Sequence, residues 1–125
     1  MPEILLIEDA PQVAGILVSK LGREGYRLTW KRNRAEALAA LDAADFDLVL
    51  LSTYLLPERN AWRILDEVKA HPRRGGVPVV MLLEAEEAAE RERAMSSGAA
   101  GVIMKPFKPT QVAKAVKSLL PLPGT

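Results

Sequence analysis

The run Ile4-Leu5-Leu6-Ile7, followed by Glu8-Asp9-Ala10-Pro11, limits the folds open to this chain more than any other stretch. Large aliphatics without polar alternation suit a strand buried on both faces, as a parallel sheet with helices on each side requires. The run stops at two adjacent carboxylates. Pro11 then suits the first turn of a helix, where its missing N–H would have no intrahelical partner. Such a strand delivers two acids to the carboxyl end of the sheet, the edge where open α/β sheets build their sites.

The remainder repeats this strand–helix unit. Val13, Ile16, Leu17 and Leu21 predict the inward face of a first helix, ended by Gly22 and Gly25. Tyr26 to Trp30, with polar residues interleaved, predicts an edge strand. A helix is expected over Arg34–Ala43 with Ala37, Leu38 and Leu41 inward. Asp47 to Ser52, centred on Leu48-Val49-Leu50-Leu51, predicts a second central strand. After a loop containing Leu56-Pro57-Glu58-Arg59-Asn60, a helix over Ala61–Ala70 is expected to bury Trp62, Leu65 and Val68. Val77 to Leu82 predicts a fourth strand with Pro78 near its start. An acidic, alanine-rich helix follows over Ala85–Ser96, with Ala88, Ala89 and Met95 as a thin apolar face. Gly101–Met104 and Pro109–Leu120 supply the last strand and helix, the helix turning Val112, Val116 and Leu119 inward. Five such units predict one doubly wound (βα)5 domain over 1–125, its parallel sheet covered by helices on both faces.

Composition narrows the function. The chain has 125 residues, enough for one core. Its 17 basic and 16 acidic residues leave a net charge of +1, which argues against a nucleic-acid partner needing clustered positive charge. Lys31-Arg32-Asn33-Arg34 is the local exception and reads as a solvated loop. With no cysteine, thiolate metal sites and thiol nucleophiles are excluded. The single His71 precedes Pro72 and is expected on the surface. No apolar run approaches the roughly 18 residues of a membrane span, and the start of the chain does not read as a signal peptide. The expected compartment is the cytoplasm.

Four pieces in this order and spacing carry a resemblance: Ile4-Leu5-Leu6-Ile7-Glu8-Asp9, Asp47 through Leu51 leading to Leu56-Pro57, Pro78-Val79-Val80-Met81-Leu82, and Gly98-Ala99 through Lys105-Pro106-Phe107. The chain resembles the receiver domain of two-component response regulators over essentially its full length. The resemblance implies a flavodoxin-like sheet of order 2-1-3-4-5. It also implies an acid pair that binds Mg²⁺, an aspartate ending strand 3 that accepts a phosphoryl group from a histidine kinase, a Ser/Thr after strand 4, a lysine after strand 5 and an aromatic on strand 5. Residue by residue, Glu8 and Asp9 match the acid pair, with Asp9 the nearer to a direct metal ligand. Lys105 matches the lysine, and Lys105-Pro106 is expected to be cis.

Elsewhere the pattern fails. Counting forward from Asp47 places Ser52 at the phosphoacceptor position, and counting back from Pro57 places Thr53 there; neither is a carboxylate. Leu83 stands where the hydroxyl is expected and Val102 where the aromatic is. Glu8 and Asp9 therefore read as an acid pocket neutralised by Lys105, with Mg²⁺ binding weak and no cofactor required. No catalytic residue is assigned and no enzyme is expected. The favoured function is a phosphorylation-independent protein–protein interaction module in two-component-type signalling. Its partner would be a histidine kinase, another regulator, an effector, or a second copy docked through helix 4, strand 5 and helix 5. The alternatives are a phosphoacceptor using Ser52 or Thr53, and a small-anion binder using the emptied pocket beside Lys105.

Overall fold

A computed structural model describes residues 1–53, 61–84 and 89–122. The elements are β1 (Glu3–Ile7), α1 (Pro11–Glu24), β2 (Arg27–Lys31), α2 (Arg34–Ala43), β3 (Leu48–Ser52), α3 (Ala61–Lys69), β4 (Val79–Leu83), α4 (Arg91–Ser96), β5 (Gly101–Met104) and α5 (Pro109–Leu119). The strands form one sheet of order β2-β1-β3-β4-β5, every neighbouring pair parallel. This is the doubly wound α/β architecture expected from the sequence.

Alternate residues of the central strands feed two apolar layers, as the period of two along a strand requires. Leu5, Ile7, Val49, Leu51, Val79 and Met81 pack with α2, α3 and α4 through Ala37, Leu41, Ile64, Leu65, Val68 and Ala94. Ile4, Leu6, Leu48, Leu50, Val80, Leu82 and Ile103 pack with α1 and α5 through Ala14, Leu17, Leu21, Val112, Ala113 and Val116. β1, β3 and β4 are therefore covered on both sides, which explains their unbroken aliphatic runs. β2 at the edge is only partly buried. Among the described residues, no helix is long and apolar enough to cross a membrane.

Local chemistry sets the ends of the helices. α1 stops at Gly25, whose φ of 109° favours glycine, and the Tyr26 N–H returns to the Leu21 carbonyl. The Asn33 side chain caps α2 by accepting the Glu36 N–H at 2.9 Å and donating to the Glu36 carboxylate at 3.1 Å.

Several expectations are corrected. Ile16 is 50% exposed, because Ala14, Leu17 and Leu21 form the face of α1 that meets the sheet. Leu119 and Met95 are likewise largely exposed, and Ala94 is the buried residue of α4. β2 begins after Tyr26, which is buried and donates its hydroxyl to the Leu120 carbonyl at 2.8 Å. β4 begins after Pro78. His71 is not a free surface side chain: Nδ1 accepts the N–H groups of Arg73 and Arg74 at 3.1 Å, and Nε2 lies 2.9 Å from Asp42. The basic cluster is not a solvated loop either, since Lys31 ends β2, Asn33 caps α2 and Arg34 opens it with a two-pronged bond to Glu67. The loop 54–60, including Pro57, and residues 85–88 expected to open α4 lie outside the described residues.

Candidate functional site

Because all five strands run the same way, their carboxyl ends share one edge, and each adds a polar side chain there. β1 contributes Glu8 and Asp9, β2 leads into Arg32, β3 ends in Ser52, β4 is followed by Glu84 and β5 by Lys105. Lys105 is held in register by its own N–H, which donates to the Leu83 carbonyl at 2.7 Å. Its side chain then reaches back across the sheet edge. The ammonium donates to Ser52 Oγ at 2.8 Å, to Glu8 Oε1 at 3.0 Å and to Glu84 Oε1 at 3.2 Å. An ammonium has three donors, so all of them are used.

The group is shielded. Glu8 is 1% exposed, Ser52 fully buried, and the Lys105 side chain 14% exposed. Glu8 is fixed on every side: Oε2 accepts the Ala10 N–H at 3.1 Å, its N–H donates to the Lys31 carbonyl at 3.1 Å, and its carbonyl accepts the Trp30 indole N–H at 2.7 Å. Asp9 is not part of the Lys105 cluster as expected. It faces Arg32, whose guanidinium lies 3.8 Å from Oδ1 and donates to the Asp9 carbonyl at 3.1 Å.

The two readings of β3 separate in space. Ser52 is the last strand residue and meets Lys105, whereas Thr53 donates both its N–H and its hydroxyl to the Leu82 carbonyl, at 3.0 and 3.2 Å. Leu83 closes β4 and is buried. Val102 packs, half-buried, on the layer formed by Leu5, Ile7 and Met81. The Lys105-Pro106 bond is cis, as expected.

Glu84 and Arg32 are the functional neighbours that sequence reasoning missed. Each stands one residue beyond a strand end on the same edge, within a charged stretch that does not by itself single it out.

A divalent ion of the kind the resemblance implies does not suit this arrangement. Mg²⁺ takes near-ideal octahedral oxygen coordination and uses one or two carboxylates together with phosphate oxygens. Here one acid already holds an ammonium and a backbone amide, the other holds a guanidinium, and β3 offers a hydroxyl in contact with Lys105. Among the described residues, no group of three acidic or histidine side chains is placed to hold a metal.

Comparison with known proteins agrees with the geometry. The response regulator receiver domain model matches residues 4–117. Transcriptional regulatory protein ResD of Bacillus subtilis is 30% identical over 118 residues, 94% of this chain and 48% of that protein. SrrA of Staphylococcus aureus is also 30% identical over 118 residues, covering 94% and 47%. The chain thus spans about half the length of the curated relatives it matches. Among solved structures, the signal receiver domain of a histidine kinase from Syntrophus aciditrophicus is 31% identical with a TM-score of 0.86, covering 96% of this chain and 90% of that one. The non-phosphorylated HemR receiver domain of Leptospira biflexa is 29% identical with a TM-score of 0.86, covering 98% and 96%. With the sheet order, the acids after β1 and the lysine after β5 all in place, this chain belongs to the response regulator receiver domain family.

Proposed function

We propose that this receiver works as a protein–protein interaction module of two-component-type signalling whose state does not depend on phosphorylation. The observation that carries the reading is the Lys105 ammonium, which spends its three donors on Glu8, Ser52 and Glu84. In an ordinary receiver that lysine is available to an arriving phosphoryl group and a carboxylate stands ready to accept it; here a serine fills the place.

Ser52 is a poor substitute. A serine nucleophile needs a base to take its proton, and its nearest charged contact is an ammonium, which can only donate. Thr53 is committed to the Leu82 carbonyl. The pocket is also unfavourable for a free anion, since Glu8, Asp9 and Glu84 outnumber Lys105 and Arg32. In this reading the chain catalyses no reaction, needs no cofactor and works in the cytoplasm. Its output is contact with a histidine kinase, another regulator, an effector or a second copy through α4, β5 and α5.

Intact-mass measurement after incubation with Mg²⁺ and acetyl phosphate or phosphoramidate tests this. The expected result is an unchanged mass. A gain of one phosphoryl group that Ser52→Ala or Thr53→Ala abolishes would replace the proposal with the phosphoacceptor reading.

A further inference from the structure

Each acid of the loop between β1 and α1 faces a basic side chain from the end of another strand. Lys105 holds Glu8 at 3.0 Å, and Arg32 covers the other acid. Three contacts place Arg32: its guanidinium donates to the Asp9 carbonyl at 3.1 Å, lies 3.8 Å from the Asp9 carboxylate, and sits 5.7 Å from the centre of the Trp30 ring. Trp30 is itself anchored, since its indole N–H donates to the Glu8 carbonyl at 2.7 Å. The aromatic face is therefore fixed to the loop that Arg32 neutralises, and a cation over such a face gains additional attraction. The stack lies where β2 ends and α2 begins, so Asn33 capping α2 also fixes the backbone that presents Arg32.

We infer that Arg32 and Lys105 act as the acid pair's resident counter-charges, taking the place of a divalent cation, and that Arg32 is the residue that keeps metal off Asp9. Two adjacent carboxylates at a sheet edge repel each other unless positive charge is supplied. A dissociable ion would make the loop's charge depend on metal concentration; tethered side chains make it constant. The inference rests on the reading of this pocket as one that operates without phosphorylation, and it supplies the reason the pocket needs no metal for its acids. Arg32 acts as a positioning and neutralising residue; it touches no reacting atom.

The test uses Trp30 as a local reporter. In a Trp62→Phe background, Trp30 is the sole tryptophan, and its emission is followed during MgCl₂ titration at constant ionic strength. The parent is expected to respond only weakly. Arg32→Gln should bind Mg²⁺ roughly fivefold more tightly, the size of one partly exposed ion pair. Arg32→Lys, which keeps the charge, should restore the parent's behaviour, and adding Asp9→Asn to Arg32→Gln should remove the gain. Should Trp62→Phe disturb the fold, the Mg²⁺-dependent shifts of the Glu8 and Asp9 backbone amides in ¹⁵N spectra of the otherwise unaltered chain report the same comparison. Equal Mg²⁺ affinity in the parent and in Arg32→Gln overturns the inference. That failure is separable from failure of the functional reading, which shows as a phosphoryl mass gain whatever Arg32 does.

Discussion

At the scale of single residues, Lys105 joins the ends of three strands through Glu8, Ser52 and Glu84. Removing its ammonium leaves Glu8, 1% exposed, without its cationic partner. Breaking a buried pair from one side costs about 3–5 kcal/mol, so Lys105→Met should lower the unfolding free energy by about that much in urea denaturation. Adding Glu8→Gln should recover much of the loss, because the stranded charge disappears with it. If the double variant is no more stable than Lys105→Met, the two side chains are not coupled as the geometry requires. The pairing of Lys105 with the first acid was legible from the resemblance to receiver domains, which places the acid pair after β1 and the lysine after β5 at one sheet edge. The involvement of Glu84 and Arg32 was not. Each lies in a charged stretch, and a charged stretch on its own is usually solvated; only the register of the sheet shows which member turns inward. The separation of Ser52 from Thr53 likewise required the structure, because one residue of offset along a strand exchanges the two faces.

Among the elements, the helices are joined by charge pairs that respond to pH. The Arg34 guanidinium, opening α2, grips Glu67 of α3 through Nε at 2.7 Å and through its Nη2, and it holds the Glu67 carboxyl below its usual value of 4.5. A carboxyl lowered on folding contributes stability above the unfolded value and loses it as pH falls through the folded one. Glu67→Gln should therefore lower Tm at neutral pH, with the difference from the parent vanishing in acid well below 4.5. A deficit that persists unchanged in acid would assign the effect to packing instead. Lys117 does the same for Glu24, tying α5 to the end of α1 at 2.7 Å. The helix α4 differs: it is six residues long and buries only Ala94, with Arg93 lying over the Trp62 ring at 4.1 Å. Its amides should exchange fastest among the five helices; α4 amides that outlast those of α1 would contradict this. The sequence marked α4 as thinly apolar but chose the wrong residues: Ala89 is exposed and precedes the helix, Ala88 lies outside the described residues, and Ala94 is the buried one. It misplaced Ile16, Leu119 and Met95, because helical periodicity marks a stripe wide enough to include residues at the margin of the buried face.

For the whole molecule, the parallel sheet explains why Glu8, Asp9, Arg32, Ser52, Glu84 and Lys105 collect at one edge, and the aliphatic runs of the central strands made that fold legible in the sequence. At that edge Lys105 is engaged by Glu8 and Ser52, Asp9 faces Arg32, and β3 ends in a hydroxyl. A protein that switches on phosphorylation must populate two arrangements that a phosphoryl group distinguishes. Under the proposed reading, with Ser52 where a carboxylate would stand, no phosphoryl group biases one arrangement over another. The most direct measurement is a pair of ¹H–¹⁵N spectra of the labelled chain, with and without Mg²⁺ and acetyl phosphate. A pocket indifferent to phosphorylation gives superimposable resonances for Ser52, Thr53, Glu84 and Lys105; a second set of peaks at these residues that grows and saturates with the donor would contradict that reading.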